Sequence, residues 1–234
     1  MAVDQKALVA ALSRFARILP TDYDVASALD ELAGAVTQIL GLAGAGVTVE
    51  SEGRLRFVTA HSEHIAAVEK HQELAQEGPC VHSHSTGEVV AVADLRERLE
   101  RWPEYAAAAL QHGVAAVAGV PMRLNGISVG TIDLYSSEVR DWASEDLEVA
   151  QVFADMATGY VVNADKRRQT QQLTEQLQQA LASRVVIEQA KGIIANAAGI
   201  TPDEAFERIR RYARDHQARL YAVVHAIVDA GLRL

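Results

Sequence analysis

Apolar residues recur every three or four positions from Asp4 to Leu19 and again from Asp24 to Leu40, the spacing of two amphipathic helices. A Gly/Ala-rich turn is expected at Gly41 to Gly46, after which the period falls to two. Val47 to Glu50 and Leu55 to Ala60, parted by Ser51-Glu52-Gly53, read as a hairpin. Glu63 to Gln76 returns to the helical period and stops at Gly78-Pro79. Glu88 to Val92, Val114 to Met122 and Ile127 to Tyr135 read as three more strands, the last two joined at Asn125-Gly126, a two-residue hairpin signal. Consecutive antiparallel strands with helices before and after predict an α+β fold, an antiparallel sheet covered by helices rather than an alternating parallel one.

The pattern then changes for good. Pro121 and Pro202 have no proline between them, and after Gly130 only Gly159 and Gly192 precede Gly199. One long helix is expected from Ser144, a good N-cap followed by Glu145 and Asp146, to Ala198, with Gly199 as its stop. Its middle, Lys166 to Ala182, reads KRRQTQQLTEQLQQALA, with Leu173, Leu177 and Leu181 four apart. A helix of that length has to bury its stripe against something, which predicts a coiled-coil stalk and a homodimer. On its last part Val186, Ile187, Ala190, Ile193, Ile194 and Ala197 share one face. Thr201-Pro202-Asp203-Glu204 is a capping box that opens a new helix. On that helix Ala205, Phe206, Ile209, Tyr212 and Ala213 cover one arc, and Arg208, Arg210, Arg211 and Arg214 take the rest. A third helix, Arg219 to Ala230, buries Leu220, Val223, Val224, Ile227 and Val228 and ends at Gly231.

Composition narrows the class. At 234 residues and 49% hydrophobic content the chain can bury a core of one or two domains. A single cysteine excludes a disulfide scaffold and a Cys-rich zinc module. No apolar run approaches the roughly 18 residues of a membrane span. Asp4, Lys6, Arg14 and Arg17 break up the stretch before Pro20, unlike a signal peptide, so a cytoplasmic setting is expected. The formal charge of -9 hides a division: residues 1 to 165 hold 11 Lys/Arg against 24 Asp/Glu, whereas residues 166 to 234 hold 11 against 7. A basic C-terminal part can gain counterion-release energy from phosphates, while an acidic body discourages nonspecific binding.

Chemistry in the acidic half is sparse. Cys80, in Glu77-Gly78-Pro79-Cys80, is a lone thiol, more often a small buried hydrophobe than a reactive group. His82 and His84, with His61, His64 and His71 nearby, lack a carboxylate or thiolate at an established ligand spacing, so no metal is expected. Asp133 and Tyr135 fall on one face of a strand, where they either line a cavity or form a half-exposed face. Cys80, His82, Asp133 and Tyr135 are the candidate sensor pocket, and no cofactor is identified for it. No P-loop, no GxGxxG and no Ser/His/Asp signature supports an enzyme. In the basic half, Arg184 and Lys191 flank one helix face, with Gly192 beside them offering no side chain to keep a phosphate-sugar backbone away.

Two stretches carry resemblances. Gln72 to Asp94 (QELAQEGPCVHSHSTGEVVAVAD), Arg101-Trp102-Pro103 with His112-Gly113-Val114, and the hairpin ending GTIDLY resemble a GAF domain of the actinobacterial type. The resemblance spans residues 22 to 162 and implies a small-molecule or redox sensor that also dimerises. Glu188 to Ile194 (EQAKGII), Asp203 to Phe206 with Ile209, Arg210 and Ala213, and the helix at Leu220 closely resemble an ANTAR domain. That resemblance implies a dimer that binds paired hairpins in nascent RNA and acts as a transcription antiterminator. Lys191 and Gly192 fall on the family's Ala-Lys-Gly motif, and Arg210 and Ala213 on its Leu-Arg-x-x-Ala motif, with Ile209 in place of the Leu. The RNA surface so implied is Lys191, Gly192, Arg210, Arg211, Tyr212, Ala213 and Arg214, with Arg184 at its edge.

The expected organisation is an N-terminal helix at 1–21, a GAF sensor at 22–162, a helical coiled-coil linker at 163–182 and a three-helix ANTAR module at 183–234. The expected partners are RNA, a second copy of the chain and a small-molecule ligand at the GAF half, with no membrane. The rival class is a small-molecule or redox GAF enzyme whose C-terminal helices only dimerise. A single thiol argues against it, because a two-thiol relay needs a resolving partner.

Overall fold

The computed structural model describes residues 4–234, so the first three residues of the segment 1–21 lie outside the described residues. The chain forms two compact units that divide between Asp165 and Lys166.

The first unit begins with two capped helices. The Asp4 carboxylate accepts the amides of Lys6 and Ala7 to open α1 (Gln5–Ile18), and Asp24 accepts that of Ser27 to open α2 (Val25–Leu40). Gly41, at a φ of 61°, ends α2 in the left-handed conformation that glycine adopts without strain. A five-stranded antiparallel sheet follows: β1 (Gly44–Ser51), β2 (Arg54–Ala60), β3 (Val90–Val92), β4 (Ala116–Leu124) and β5 (Ile127–Ser136), in the order β2-β1-β5-β4-β3. The strands alternate between two faces, with register irregularities at Val47/Thr48 and Met122/Arg123. Ala45, Val47, Ala118, Val120, Met122, Ile132 and Leu134 join α1, α2 and the start of α6 (Ser144–Ala198) in one core. Val117 and Tyr135 face the other way, into a second core with α3 (Glu63–Ala75), α4 (Pro79–Thr86) and α5 (Pro103–Gln111). Phe15, Phe153 and Tyr160 lock α1 to α6 edge to face, and the Tyr160 hydroxyl donates to the Phe15 carbonyl at 2.7 Å.

Three local expectations are revised. β1 starts at Gly44, inside the expected turn, because Gly44 to Gly46 pair with Tyr135 to Asp133 of β5. The expected strand Glu88 to Val92 shrinks to three paired residues at the sheet edge. Pro79 ends one helical pattern and also opens α4, and Pro103 opens α5. Both prolines sit at the first helical turn, where a missing amide costs nothing.

α6 runs unbroken from Ser144 to Ala198. Every residue from 168 to 182 is exposed, and Leu173, Leu177 and Leu181 are 56%, 62% and 66% exposed, so the apolar stripe has no cover among the described residues. In the second unit the last turns of α6 pack with α7 (Pro202–Asp215) and α8 (Leu220–Asp229), burying Ala190, Ile194, Ala205, Ile209, Ala213, Val223, Val224 and Ile227. The capping box is complete: the Thr201 hydroxyl accepts the Glu204 amide, and Glu204 Oε2 accepts the Thr201 amide at 2.8 Å.

Candidate functional site

Within the first unit, the α3–α5 face of the sheet carries polar side chains where an apolar core is expected. Asp133, at the centre of β5, is paired on one side with Gly46 and on the other with Gly119. Neither neighbour has a side chain to cover it, and helices fill the space. Glu69 of α3 lies where a Gly46 side chain would stand, and the Cys80 backbone of α4 comes within 2.9 Å of a Cβ placed on Gly119. Glu69 and Asp133 are both fully buried. The half-exposed alternative for Asp133 and Tyr135 is therefore excluded, since both are 0% exposed.

The hydrogen bonds there are incomplete. The Tyr135 hydroxyl donates to Glu69 Oε1 at 2.9 Å, and Gln72 Nε2 lies 3.4 Å from Glu69 Oε2. Thr48 and Thr131, also buried, bond to each other at 2.7 Å. Both oxygens of Asp133, the Gln72 carbonyl and the Tyr105 hydroxyl have no hydrogen-bond partner. Cys80, Thr131, Glu69 and Thr48 surround the Asp133 carboxylate, yet none meets it in hydrogen-bond geometry. Burial pushes the Asp133 carboxyl up to about 6. Burial, and then the Asp133 charge, hold Glu69 well above the usual carboxylate range. Burial and the same two carboxylates raise the Cys80 thiol, so it is a protonated, weakly nucleophilic thiol near neutral pH. Of the unpartnered atoms, those of Asp133 and Gln72 are acceptors and the Tyr105 hydroxyl can donate or accept, so the cluster has hydrogen-bonding capacity left over.

The structure thus brings Cys80, Asp133 and Tyr135 together and adds Glu69, Gln72 and Tyr105. His82 points elsewhere: its Nε2 accepts from Arg101 Nη2 at 3.0 Å, beside Trp102. The signal for Glu69 and Gln72 was present in α3, where Ile65, Val68, Glu69 and Gln72 share one face and all are buried. Among the described residues no three His, Cys, Asp or Glu side chains are grouped to hold a metal ion.

The second unit presents a different surface. Arg184, Arg208, Arg210, Arg211 and Arg214 are exposed, as is Gly192, around which no atom lies within 4 Å of an added Cβ. Lys191 is half-buried and ion-paired to Glu188 at 3.0 Å; Arg210 is paired to Glu207 at 3.0 Å. The Tyr212 ring is half-buried and stacked on His216 with centroids 3.9 Å apart, so one of its faces is already covered. Ala213 is 6% exposed and packs in the helical core, where the close approach of α7 to its neighbours needs a small side chain. Phe206, expected within the covered arc, keeps an accessible edge.

Comparison with known proteins follows this division. The GAF domain family matches residues 24–161 and the ANTAR domain family residues 175–228. No curated protein matches the chain. Among solved structures, the first unit resembles the GAF domain of an Acinetobacter phosphoenolpyruvate-protein phosphotransferase, at TM-score 0.55 and 13% identity over 71% of this chain and 97% of that one. The A. aeolicus nlh2 GAF domain in an inactive state has TM-score 0.54 and 13% identity over 67% and 96%. The free methionine-R-sulfoxide reductase of Neisseria meningitidis, in complex with its substrate, has TM-score 0.52 and 14% identity over 71% and 96%. At these identities the likeness is one of fold. GAF domains are sensor modules and ANTAR domains are RNA-binding antitermination modules, and the pairing of the two is that of a regulator. No helix among the described residues is long and apolar enough to cross a membrane. With more than half of its length matched, the chain belongs to the GAF-domain family and joins that domain to an ANTAR domain.

Proposed function

We propose that this protein is a cytoplasmic transcription antitermination regulator. Its GAF half, residues 22–162, senses a small molecule or another chemical signal. Its ANTAR half, residues 183–234, binds paired hairpins in nascent transcripts as part of a homodimer. A signal at the GAF half changes how the Ser144–Ala198 helix pairs across the dimer through its linker at 163–182, and so sets the spacing of two ANTAR modules.

The observation that carries this reading is the arginine-rich face of the second unit. Arg208, Arg210, Arg211 and Arg214 are all exposed on one helix, with Lys191 and Gly192 on the helix packed against it, in the stretch that matches an ANTAR domain. Arginine planes suit phosphates, which any nucleic acid carries, and also unstacked bases, which RNA loops supply and duplexes do not. The sensor reading is supported by the buried acceptors of Asp133 and Gln72, which lack partners in the protein itself.

The test is an equilibrium titration of the whole protein against a two-hairpin RNA, a single hairpin and duplex DNA of equal length, at two salt concentrations. A preference for the paired hairpins that survives higher salt, and is lost in Lys191→Ala or Arg210→Ala, is expected. Equal binding to all three that salt erases would reduce the surface to a basic patch.

A further inference from the structure

Lys191 and Arg210 belong to different helices, yet they share one neighbour. Lys191 Nζ lies 5.7 Å from the centre of the Phe206 ring, and Arg210 Cζ lies 5.6 Å from the same point. An aromatic ring attracts cations through its quadrupole, so Phe206 draws one cation from each of two helices to the same ring. The ring is only half-buried, although Ala205 before it and Ile209 one turn later are fully covered. The Lys191 side chain is 15% exposed, partly stripped of water, which strengthens its attraction for an anion.

Each cation also has a carboxylate three residues before it. Glu188 meets Lys191 and Glu207 meets Arg210, both at 3.0 Å, and the two glutamates are 54% and 58% exposed. Helical pairs three residues apart whose carboxylates stand in solvent are weak and give way to a better ligand. A phosphodiester is such a ligand, because arginine grips its oxygens with two parallel N–H bonds and lysine adds a compact charge.

We infer that Lys191, Phe206 and Arg210 form a clamp for a single phosphodiester, with Phe206 as the positioning residue and Glu188 and Glu207 as stand-in anions that the phosphate displaces. This rests on the reading of the second unit as an RNA-binding module. The glutamates lower affinity for any polyanion alike. Backbones that place a phosphate squarely between the two cations recover the loss, and those that meet only one do not. The clamp thereby turns a general phosphate attraction into one that depends on RNA shape.

The test uses the full-length protein and a two-hairpin RNA, titrated at two salt concentrations. Replacing both glutamates by Glu188→Gln and Glu207→Gln tightens binding by roughly threefold or more and narrows the preference for paired hairpins over a single one. Phe206→Leu weakens binding by roughly three- to tenfold. Phe206→Tyr restores it, because a ring rather than bulk is what the cations need. In the Phe206→Leu background, Lys191→Ala and Arg210→Ala cost less than they do in the wild type, which a role confined to packing does not predict. Strictly additive losses, or glutamate variants that bind no tighter than the wild type, would overturn the clamp while leaving RNA binding intact. A wild-type protein that binds no RNA would overturn the reading on which the clamp rests. The glutamate pair lies on the surface, so that arm decides the question even if Phe206→Leu fails to fold.

Discussion

Asp133 shows how one residue sets a property of the whole domain. Its carboxyl, ordinarily near 3.8, is held up to about 6 by burial, with both oxygens lacking hydrogen bonds. The unfolded chain therefore gives up this proton at lower pH than the folded one. Below about 4 the group is protonated in both states and costs nothing. Between about 4 and about 6 the folded state loses stability relative to the unfolded, on the order of 3 kcal/mol for a shift of about two units. Glu69, raised by burial and then by the Asp133 charge, contributes a loss of the same sign as pH rises. Asp133→Asn is expected to be the more stable protein at pH 7.5 and to lose less stability from pH 4.5 to 7.5. Urea midpoints at both pH values measure this, and identical slopes in variant and wild type would refute it. The strand pattern showed that Asp133 and Tyr135 share a face. It could not show that Gly46 and Gly119 stand opposite Asp133, because strand register joins positions far apart in the chain.

Among the elements, those governed by local rules were legible. The capping box at Thr201 and Glu204, the helix from Ser144 to Ala198 and the Asn125-Gly126 hairpin appear where their residues place them. Thr201→Ala leaves a first-turn amide of α7 without its acceptor and is expected to cost about 1 kcal/mol of stability in the second unit. Thermal unfolding monitored at Tyr212 or Tyr221 would read it, and an unchanged midpoint would mean that packing alone holds the helix start. α4 and α5 were not legible as helices. They are short, and each opens with a proline that reads as a breaker until its place in the first turn is known. β3 was over-read for a related reason: only three of its residues find partners on β4, and unpaired residues at a sheet edge gain nothing from being extended.

For the whole molecule, the decisive feature is the uncovered stripe of α6. Leu173, Leu177 and Leu181 are each more than half exposed, in a stretch where every residue from 168 to 182 is exposed. A continuous apolar line on a solvated helix gains stability when it is covered, and a second copy of the same helix is the cover that the dimer reading requires. Changing all three to serine is expected to shift the protein from dimer to monomer in sedimentation experiments. Affinity for a two-hairpin RNA should fall toward that for a single hairpin, and affinity for the single hairpin should stay within about twofold. A variant that remains dimeric would place the interface elsewhere. The thiol chemistry of a redox module finds little support at this scale, since Cys80 is buried, protonated near neutral pH and the sole cysteine of the chain.

The amino-acid sequence by itself determined the helices and strands with strong periodicity, the division into an acidic and a basic part, and the two domain resemblances. All of these depend on residues near one another in the chain, or on composition. Only the tertiary structure decided which polar residues are buried and which cations share a ring. Glu69 and Gln72 lie on the same face of α3 as Ile65 and Val68, and whether such a face meets oil or water depends on the sheet beneath it. Lys191 and Arg210 both lie near the Phe206 ring because α6 and α7 pack through Ala190, Ile194, Ala205 and Ile209. Periodicity says which side of a helix is apolar, but the partner that covers it, and the charges that partner carries, are set by contacts between distant segments.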